Sequence, residues 1–596
     1  MKKSKWSILS LLMIVMLVLG ACSGNSTKTG KKGNEEKVDA AAFPLKSDNK
    51  DKGIKGGTAT VGIIASAPFK GIWSWELYED SVDADILSFA NNTLFDTDKD
   101  FKFTDTGIGS MEVKPEENKA IVKIKKDVKW SDGQPLTIED VIFPYEIIAH
   151  KDYTGVRYDQ DLKNIIGAEE YHAGKADTIS GLKKIDDHTL EISFKKVSPA
   201  IYTGGDGIWG YAAPKHDLKD VPVKDLLKSE KVRKTPVTLG PFKFDKIVPG
   251  ESVQFVANEN YWKGKPKLDK LVVKIVPPAS AVAALKSGDI DFAASVPTDV
   301  YKSLKALSNT EILGRSELYY SYLGFNLGKW DAAKGENVMD PNAKMNDVKL
   351  RQALGYAMNI EEVNKQYYDG LRTRANAIIP PAFATYHDKE LKGYTYDPEK
   401  AKKLLDEAGY KDVNKDGFRE DKDGKPFEIK LAARDNSEVA EPITQFYIQN
   451  FKDVGLKVTL TNGRLLDGNS FYDKVEANDK DIDMYMAAWG TGTNPSPAGV
   501  YSKDAQFNMM RYVDPELTTL LEAIDSPEAM DASVRAKAFK KWEEYMFEKA
   551  PVIPMDFRYE LTVVNKRLKN VDIDYATTDI LGAKWEITKE QPVKGE

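Results

Sequence analysis

Residues 128–141 read VKWSDGQPLTIEDV, a turn followed directly by the start of a helix. Asp132-Gly133 is a turn signal. Thr137 is suited to cap the helix, and Asp140 stands three residues later, which makes a capping-box arrangement. Just upstream, residues 120–125 alternate apolar and charged side chains, as a half-exposed strand does. The stretch therefore predicts a strand, a turn and a capped helix in close succession.

The same mixture of strands and helices continues on both sides of this stretch. A β-rich run bounded by glycines opens the folded part at residues 56–64. One amphipathic helix pattern covers Asp347 to Met358, and a second begins at Asp397-Pro398 and stops at Gly409. Roughly 540 residues are too many for a single hydrophobic core, so two or three domains are expected. The chain is predicted to be a mixed α/β protein.

The first 22 residues indicate the compartment in which the protein works. Three lysines precede the apolar run Ile8–Leu19, which is short for a membrane span and suits a signal peptide. Leu19-Gly20-Ala21-Cys22 then resembles a bacterial lipobox, which implies lipidation of Cys22 and removal of the residues before it. The alternative is an ordinary signal peptide with an incidental cysteine. Because Cys22 is the only cysteine, no intrachain disulfide can form, and a lipid anchor explains it better than a nucleophile does.

Composition limits the partners of the mature chain. Residues 23–55 are polar, with few apolar side chains, and are predicted to be a disordered tether. The whole chain is 41% hydrophobic and 30% charged, as in an ordinary soluble protein, and no apolar run after Leu19 is long enough for a membrane helix. The formal net charge is −7, and loss of the three leader lysines makes it −10, which argues against nucleic acid as a partner. The lipid anchor is thus expected to be the only membrane device.

No enzymatic motif is evident in the sequence. The five histidines form neither an H-E-x-x-H motif nor a close metal-ligating pair; they are His150, His172, His188, His216 and His387. A nucleophile elbow and a phosphate-binding G-x₄-G-K-[ST] loop are absent. Gly205, Gly207 and Gly210 spell G-x-G-x-x-G, but Pro214 follows and no ribose-binding carboxylate is evident downstream, so we predict a flexible loop. A hydrolase would need an activated nucleophile or a metal, and neither can be assembled.

An acidic segment imitates a calcium-binding loop. Asp412, Asn414 and Asp416 stand at positions one, three and five, Gly417 stands at six, and Asp423 stands at twelve. Position twelve is Asp rather than the longer bidentate Glu that such a loop uses. The other interpretation is an acidic turn between a helix and a strand, which we favour. No cofactor is predicted.

Seven segments, taken in order, resemble the oligopeptide-binding family of bacterial ABC importers. They are residues 128–146, 239–244, 261–291, 348–359, 396–410, 453–458 and 550–554, and the likeness runs from about Gly56 to the C-terminus. The resemblance implies an α/β fold, a two-lobed periplasmic-binding-protein clamshell, type II-like, with an extra domain inserted in lobe I. Ligand would lie between the lobes, which would close over it.

The resemblance also implies residue boundaries, because lobe I is discontinuous in this family. After a signal peptide at 1–22 and a tether at 23–55, we expect lobe I at 56–93, 238–322 and 553–596, the inserted domain at 94–237, and lobe II at 323–552. The chain would cross between the lobes near residues 322–326 and return near residues 551–557.

A glycine-rich loop is the main candidate for ligand binding. Residues 484–495 read MYMAAWGTGTNP, a buried strand that ends in a Trp and a loop with free backbone N–H groups. It is similar to the family's loop that receives the peptide N-terminus, which implies contacts from Trp489, Gly490, Thr491, Gly492 and Asn494. In several relatives an Asp stands three residues after that Trp and pairs with the peptide ammonium; here the residue is Gly492. The departure favours an open register and longer or overhanging peptides.

Two charged residues and several aromatic residues complete the expected site. Arg434 ends an apolar strand, where a guanidinium is suited to peptide carbonyls or a carboxylate, and Asp504 follows a turn at Tyr501. A surface salt bridge is the alternative for each. Tyr320 and Tyr322 share one side of a strand. Aromatic walls accept varied side chains, although core positions are the alternative; the remaining candidates are Phe69, Trp73 and Asn326.

The sequence and the resemblance together predict a monomeric binding protein, lipid-anchored at the outer face of the cytoplasmic membrane of a Gram-positive type of cell. It would capture oligopeptides and deliver them to an ABC permease, with hinge closure as the signal. Catalysis is not expected. The alternatives are another solute, such as a dipeptide, haem, a nickel complex or an oligosaccharide, and a peptide pheromone. A chaperone-like surface protein is the rival from a different class.

Overall fold

The computed structural model describes residues 43–65, 67–578 and 580–596. The predicted signal peptide, the lipidation site Cys22 and residues 23–42 of the predicted tether lie outside the described residues. None of the described helices is long and apolar enough to cross a membrane.

A mixed sheet of eleven strands runs through the molecule. In spatial order its strands are β15 (Lys457–Leu460), β14 (Glu428–Ala432), β16 (Met484–Gly490), β10 (Thr310–Phe325), β17 (Val552–Asn565), β9 (Phe292–Val296), β1 (Thr58–Ile64), β8 (Lys270–Val276), β7 (Ser252–Ala257) and β6 (Phe242–Val248), with β13 (Arg372–Arg374) paired to β17. Strand β1 is parallel to both of its neighbours, β8 and β9, whereas β10 is antiparallel to both β16 and β17. The central pair, β10 and β17, therefore joins two differently built halves.

Three smaller sheets accompany the large one. A four-stranded sheet has the order β2 (Gly109–Lys114), β3 (Lys119–Ile124), β5 (Thr189–Ser193) and β4 (Leu182–Asp186); the two pairs are β11 (Gly328–Asp331) with β12 (Glu336–Met339), and β18 (Leu568–Lys569) with β19 (Glu586–Ile587). The helices of the first half are α1 (Ser81–Leu87), α2 (Ile138–Ile148), α3 (Gln160–Lys163), α4 (Ala168–His172), α5 (Lys215–Leu218), α6 (Val223–Leu226), α7 (Glu230–Arg233), α8 (Ala281–Ser287) and α9 (Tyr301–Lys305). Those of the second half are α10 (Val348–Ala357), α11 (Ile360–Tyr368), α12 (Pro398–Ala408), α13 (Ala440–Asp453), α14 (Gly468–Glu476), α15 (Ala498–Tyr501), α16 (Pro515–Ile524) and α17 (Ala532–Lys549).

Three hydrophobic cores divide the described chain. The first core includes Val61, Phe255 and Phe292 and lies in the half that contains β1 and β6–β9, which we name lobe I. The second lies around the four-stranded sheet and α2, in the inserted domain. The third packs α10–α17 against β14, β16 and the ends of β10 and β17, in lobe II. The chain is a two-lobed α/β protein, as predicted; the residue boundaries of its domains stay a prediction.

The strands β10 and β17 are long, with 16 and 14 residues, and both lobes share them. Their ladder is regular from Thr310 to Ser316 and is interrupted between Ser316 and Tyr322. The opposing stretch of β17 runs from Pro554 to Tyr559, and Pro554 has no N–H to donate to the ladder. The interruption lies where the two lobes meet, which is where a hinge needs a weakened ladder.

Residues 43–55 correct the predicted extent of the tether. Phe43 packs edge-on against Tyr301 at 5.9 Å, and the Ile54 N–H donates to the Ile587 carbonyl at 2.9 Å. A few apolar anchors thus hold a largely polar segment on lobe I, so this part belongs to the folded body. The C-terminus lies on the same lobe, since the Glu596 N–H donates to Ser308 Oγ at 3.2 Å.

Candidate functional site

A cavity of about 500 Å³ lies against the middle of β10 and β17 and is lined from both lobes. The lobe I side is the segment from Ser295 to Asp299 at the end of β9, and the lobe II side includes Arg372, Arg434 and Tyr447. The volume falls in the range of small-ligand sites, roughly 300–1,000 Å³. Because the cavity wall includes both lobes and the interrupted ladder, a ligand bound here would contact both lobes and the strands that join them.

One face of β10 forms part of the cavity wall. Tyr319 and Ser321 line the cavity, and Ser321 pairs in register with Ala488 of β16, which also lines it. Successive side chains of a strand point to opposite faces. Tyr320 and Tyr322 therefore lie on the other face, buried in the core of lobe II. The Tyr320 hydroxyl bonds the Tyr501 hydroxyl at 2.9 Å, so the predicted aromatic wall is a core layer.

Most carboxylates of the cavity are already paired. Arg558 Nε donates to Glu317 at 2.6 Å, and the Arg558 guanidinium carbon lies 3.3 Å from the centroid of the Tyr319 ring. Arg372 Nη1 lies 3.4 Å from Asp556 Oδ1. Burial raises the pKa of Glu317, and the charge of Arg558 opposes that rise. These pairs make the wall polar while its charges neutralise one another.

Another pair closes the lobe I side of the same wall. Arg315 Nε donates to Glu560 Oε2 at 2.8 Å, and Ser295 Oγ donates to the other oxygen of Glu560 at 2.8 Å. Glu560 is thus held by one residue of β10 and one of β9. The bonds fix the carboxylate at the cavity edge.

Arg434 is the cavity residue that the sequence predicted and the structure places there. It lies just beyond β14, is half-buried, and lines the cavity. Among the described residues, no carboxylate lies within 4.0 Å of its guanidinium nitrogens in an ion pair, unlike Arg372 and Arg558. The guanidinium instead faces two rings of α14, Phe471 at 5.7 Å and Tyr472 at 5.3 Å.

The predicted glycine-rich loop begins next to the cavity. Trp489 is the penultimate residue of β16, and its ring centroid lies 5.2 Å from that of Phe507; Gly490 ends the strand at an exposed position. The Thr491 N–H donates to the Leu318 carbonyl at 3.0 Å, so this backbone group is occupied. Gly492 is exposed with a φ of +62°, and no heavy atom lies within 4 Å of where a Cβ would be.

The end of that loop contacts the inserted domain. Thr493 Oγ1 donates to the Thr203 carbonyl at 3.3 Å, and Thr203 Oγ1 donates to Asn494 Oδ1 at 3.5 Å. A Cβ on Gly205 would come within 3.2 Å of Asn494 Nδ2, so the glycine permits the close approach. We name residues 203–206 and 493–496 the latch. Asn494 therefore lies at a contact between lobe II and the inserted domain.

The remaining predicted residues lie away from the cavity. Asn326 Nδ2 donates to the Ile482 carbonyl at 3.1 Å, which fastens the far end of β10. Phe69 and Trp73 are buried in the core of lobe I. Asp504 is exposed and accepts a hydrogen bond from Ser502 Oγ at 2.7 Å. None of these four lines the cavity as the structure has it.

Sequence reasoning missed the residues of β10 and β17 that do line the cavity. The signal was a polar face: Glu317, Tyr319 and Ser321 alternate with apolar neighbours on β10. In the same way Asp556, Arg558 and Glu560 recur at every second position of β17, and all three form the ion pairs described above. Side chains alternate between the two faces of a strand, and in both β10 and β17 the more polar face lines the cavity.

The calcium-like loop is arranged as an acidic turn. Asp412 Oδ2 accepts the Gly417 N–H at 3.1 Å, and Asp416 Oδ1 accepts the Phe418 N–H at 2.8 Å. Among the described residues, no group of three or more His, Cys, Asp or Glu side chains is placed to hold a metal ion. Asn414 Oδ1 likewise accepts a backbone N–H, and Asp423 is an exposed partner of Lys425. These oxygens satisfy the turn itself.

Comparison with known proteins agrees with this architecture. The model of the bacterial extracellular solute-binding proteins, family 5 (middle region), matches residues 109–510. The chain is 38% identical to the oligopeptide-binding protein OppA of Lactococcus lactis over 587 residues, which covers 96% of this chain and 97% of that one.

Two solved structures are similar in fold. Lactococcal OppA, complexed with an endogenous peptide in the closed conformation, matches with a TM-score of 0.79 and 36% identity, over 89% of this chain and 100% of that one. AppA of Bacillus subtilis, in complex with a nonapeptide, matches with a TM-score of 0.68 and 26% identity, over 90% and 100%. This chain belongs to family 5 of the bacterial extracellular solute-binding proteins.

Proposed function

We propose that this protein captures oligopeptides outside the cytoplasmic membrane and delivers them to the permease of an ABC importer. The observation that carries the proposal is a polar cavity lined from both lobes and by the interrupted strands that join them. Occupation of such a cavity favours the closed arrangement, because a ligand that contacts both lobes binds the closed state more tightly. The two relatives solved with bound peptides support the choice of ligand.

The chemistry of the lining suits the main chain of a peptide. Asn436 and Ser437 line the cavity and offer hydrogen-bonding groups that do not depend on ligand charge. Tyr319 adds an aromatic surface that accepts varied side chains. The paired carboxylates of the wall need no counter-charge from the ligand. Such a lining accepts peptides with varied side chains.

We infer that binding is not followed by catalysis, and that Cys22 carries a lipid that holds a monomer at the outer face of the membrane. None of the described residues that line the cavity is a His or a Cys, which weakens the alternatives of a nickel complex and haem. A dipeptide, an oligosaccharide and a peptide pheromone would occupy the same cavity. These ligands are outcomes of the test that follows.

Native mass spectrometry of the freshly purified protein, followed by calorimetry with peptides of graded length, tests the proposal. We expect a distribution of co-purified peptides and micromolar or tighter binding. Ala488→Phe should reduce peptide affinity by more than tenfold, because the ring fills the cavity opposite Ser321. Ala332→Phe, at an exposed position of the same lobe, is the matched control and should bind as the wild type does. Co-purified haem or sugar, or full peptide binding by Ala488→Phe, would contradict the proposal.

A further inference from the structure

We propose that Arg434 is a specificity-determining residue that selects ligands carrying a carboxylate near the wall of lobe II. The inference deepens the proposed function and rests on it. The shared chemistry is a carboxylate, which a peptide supplies either at its C-terminus or on an Asp or Glu side chain.

The backbone around Arg434 is fixed on both sides. The Asp435 N–H donates to the Leu466 carbonyl at 2.8 Å, and the Leu466 N–H donates to the Ala433 carbonyl at 2.9 Å. Arg434 thereby continues β14 through a parallel bridge to Leu466. The backbone that carries the side chain is therefore already ordered, so ligand binding loses little backbone entropy at this position.

The surroundings of the guanidinium hold it without neutralising it. The rings of Phe471 and Tyr472 lie 5.7 and 5.3 Å from its central carbon, within the range of cation–π contacts. These contacts leave the guanidinium N–H groups available for a ligand, because a ring face attracts the positive charge but offers no oxygen that accepts a hydrogen bond. A planar guanidinium presents a fork that matches a carboxylate in two parallel hydrogen bonds.

The charge balance of the wall singles out Arg434. Arg372 faces Asp556 and Arg558 faces Glu317, so these two cations are neutralised by the protein. No ion pair within 4.0 Å joins Arg434 to a carboxylate of the described chain, and the lobe I residue Asp299 is exposed at the far side of the cavity. A half-buried cation has lost part of its hydration, and a ligand carboxylate restores the missing partner.

Calorimetry with four versions of one peptide tests the inference. The versions combine a free or amidated C-terminus with an internal Glu or Gln. In the wild type, removal of the carboxylate that Arg434 contacts should weaken binding by about ten- to hundredfold, since hydrogen bonds to charged groups are the strong ones. The amidation arm and the Gln arm identify which carboxylate is the source.

Variants separate a direct contact from a general effect of charge. In Arg434→Gln the penalty for the same removal should fall to less than about threefold, and Arg434→Lys should keep part of it because the charge remains but the fork is lost. Arg464→Gln removes the same charge from an exposed position and should keep the wild-type penalty. A penalty that is absent in the wild type, or that persists in Arg434→Gln, overturns the inference. Failure of all four peptides to bind the wild type would instead contradict the proposed function.

Discussion

At the scale of single residues, lobe I contains a charge pair that water does not reach. Asp291 is fully buried and Arg567 is 3% exposed. Arg567 Nε and Nη2 each donate to one oxygen of Asp291, and both distances are 2.7 Å. The Thr60 N–H donates to the same carboxylate at 2.8 Å. The pair thus joins the residue before β9, the residues after β17 and strand β1, which lies next to β9 in the sheet.

Asp291→Ala should lower the free energy of unfolding of lobe I by about 3–5 kcal/mol, because it leaves a buried guanidinium without its partner. Urea denaturation followed by tryptophan fluorescence measures the change. Glu259→Ala breaks the exposed pair of Glu259 with Lys243 and should cost about 0–1 kcal/mol. Equal effects of the two substitutions would show that burial does not set the cost.

Because residue 492 is a glycine, the ammonium group at the peptide N-terminus should contribute little to the free energy of binding. With no carboxylate at this position, acetylation of the peptide N-terminus should weaken binding by less than about tenfold in calorimetry. In Gly492→Asp the penalty for acetylation should exceed that limit, because space is open around this position and Asp tolerates a positive φ. A hundredfold loss in the wild type would reveal a different carboxylate that binds the ammonium.

Among the predicted site residues, Arg434 lines the cavity, whereas its role in peptide binding stays a prediction. Arg434 stood out because a cation ends an apolar strand. The prediction of Tyr320 and Tyr322 as ligand contacts rests on their sharing one side of a strand, and strand alternation does not say which side faces the core. The core of lobe II took the two tyrosines, since burying their rings gains more free energy than burying the polar face would.

At the scale of elements, local signals were reliable. The Thr137 N–H donates to the Asp140 carboxylate at 2.9 Å, as the predicted capping box requires. Helix α12 begins after its cap Asp397 and ends at Gly409, whose φ is +93°. The interruption of the ladder between β10 and β17 was not foreseeable, because it depends on two stretches far apart in the chain that meet only in the fold.

The latch should respond to acid. Burial raises the pKa of Asp206 to about 6 and the charge of Asp525 adds to the rise, whereas the two hydrogen bonds from Ser198 and the charge of Lys196 oppose it. Burial likewise raises the pKa of its neighbour Asp161 to about 6. We expect opening of the latch to expose Asp206 to water and return its pKa toward the ordinary value. The protonated carboxyl would then stabilise the closed state fully below its ordinary pKa, and the stabilisation would be lost as the pH rises through about 6.

Peptide affinity should therefore increase by up to about tenfold as the pH falls from about 7 to about 5, since one pKa unit corresponds to a tenfold change. Asp206→Asn should flatten this dependence, whereas Asp105→Asn, at an exposed position of the same domain, should leave it unchanged. Dissociation rates measured by stopped-flow fluorescence across that range provide the readout. Identical profiles for wild type and Asp206→Asn would exclude the latch as the pH-sensitive element.

At the scale of the whole molecule, chain length predicted more than one core, and the residues that the structure describes form three. The pairing of β1 with β8 and β9, and of β10 with β17, joins segments separated by up to hundreds of residues. Periodicity carries no information about such partners. The two-lobed arrangement came from the resemblance to a family, and physical reasoning on the sequence alone would have stopped at a mixed α/β protein.

Anchoring also belongs to this scale. Cys22→Ala should move the protein from the membrane fraction to the medium, because the lipid is the proposed attachment, while peptide affinity stays unchanged. Fractionation with immunodetection measures the first effect and calorimetry the second. Ser23→Ala, next to the same position, should stay with the membrane. Membrane retention of Cys22→Ala in a detergent-sensitive form would contradict the lipid anchor.

Both ends of the described chain fasten to one short stretch of lobe I. Phe43 packs against Tyr301, and Glu596 bonds Ser308, while lobe II is inserted between β10 and β17. A tensile load applied between the two ends would therefore be borne by lobe I and would bypass the strands on which the cleft opens. If the membrane held one end and a protein were fused to the other, tension between them would therefore not act on the opening and closing of the cleft.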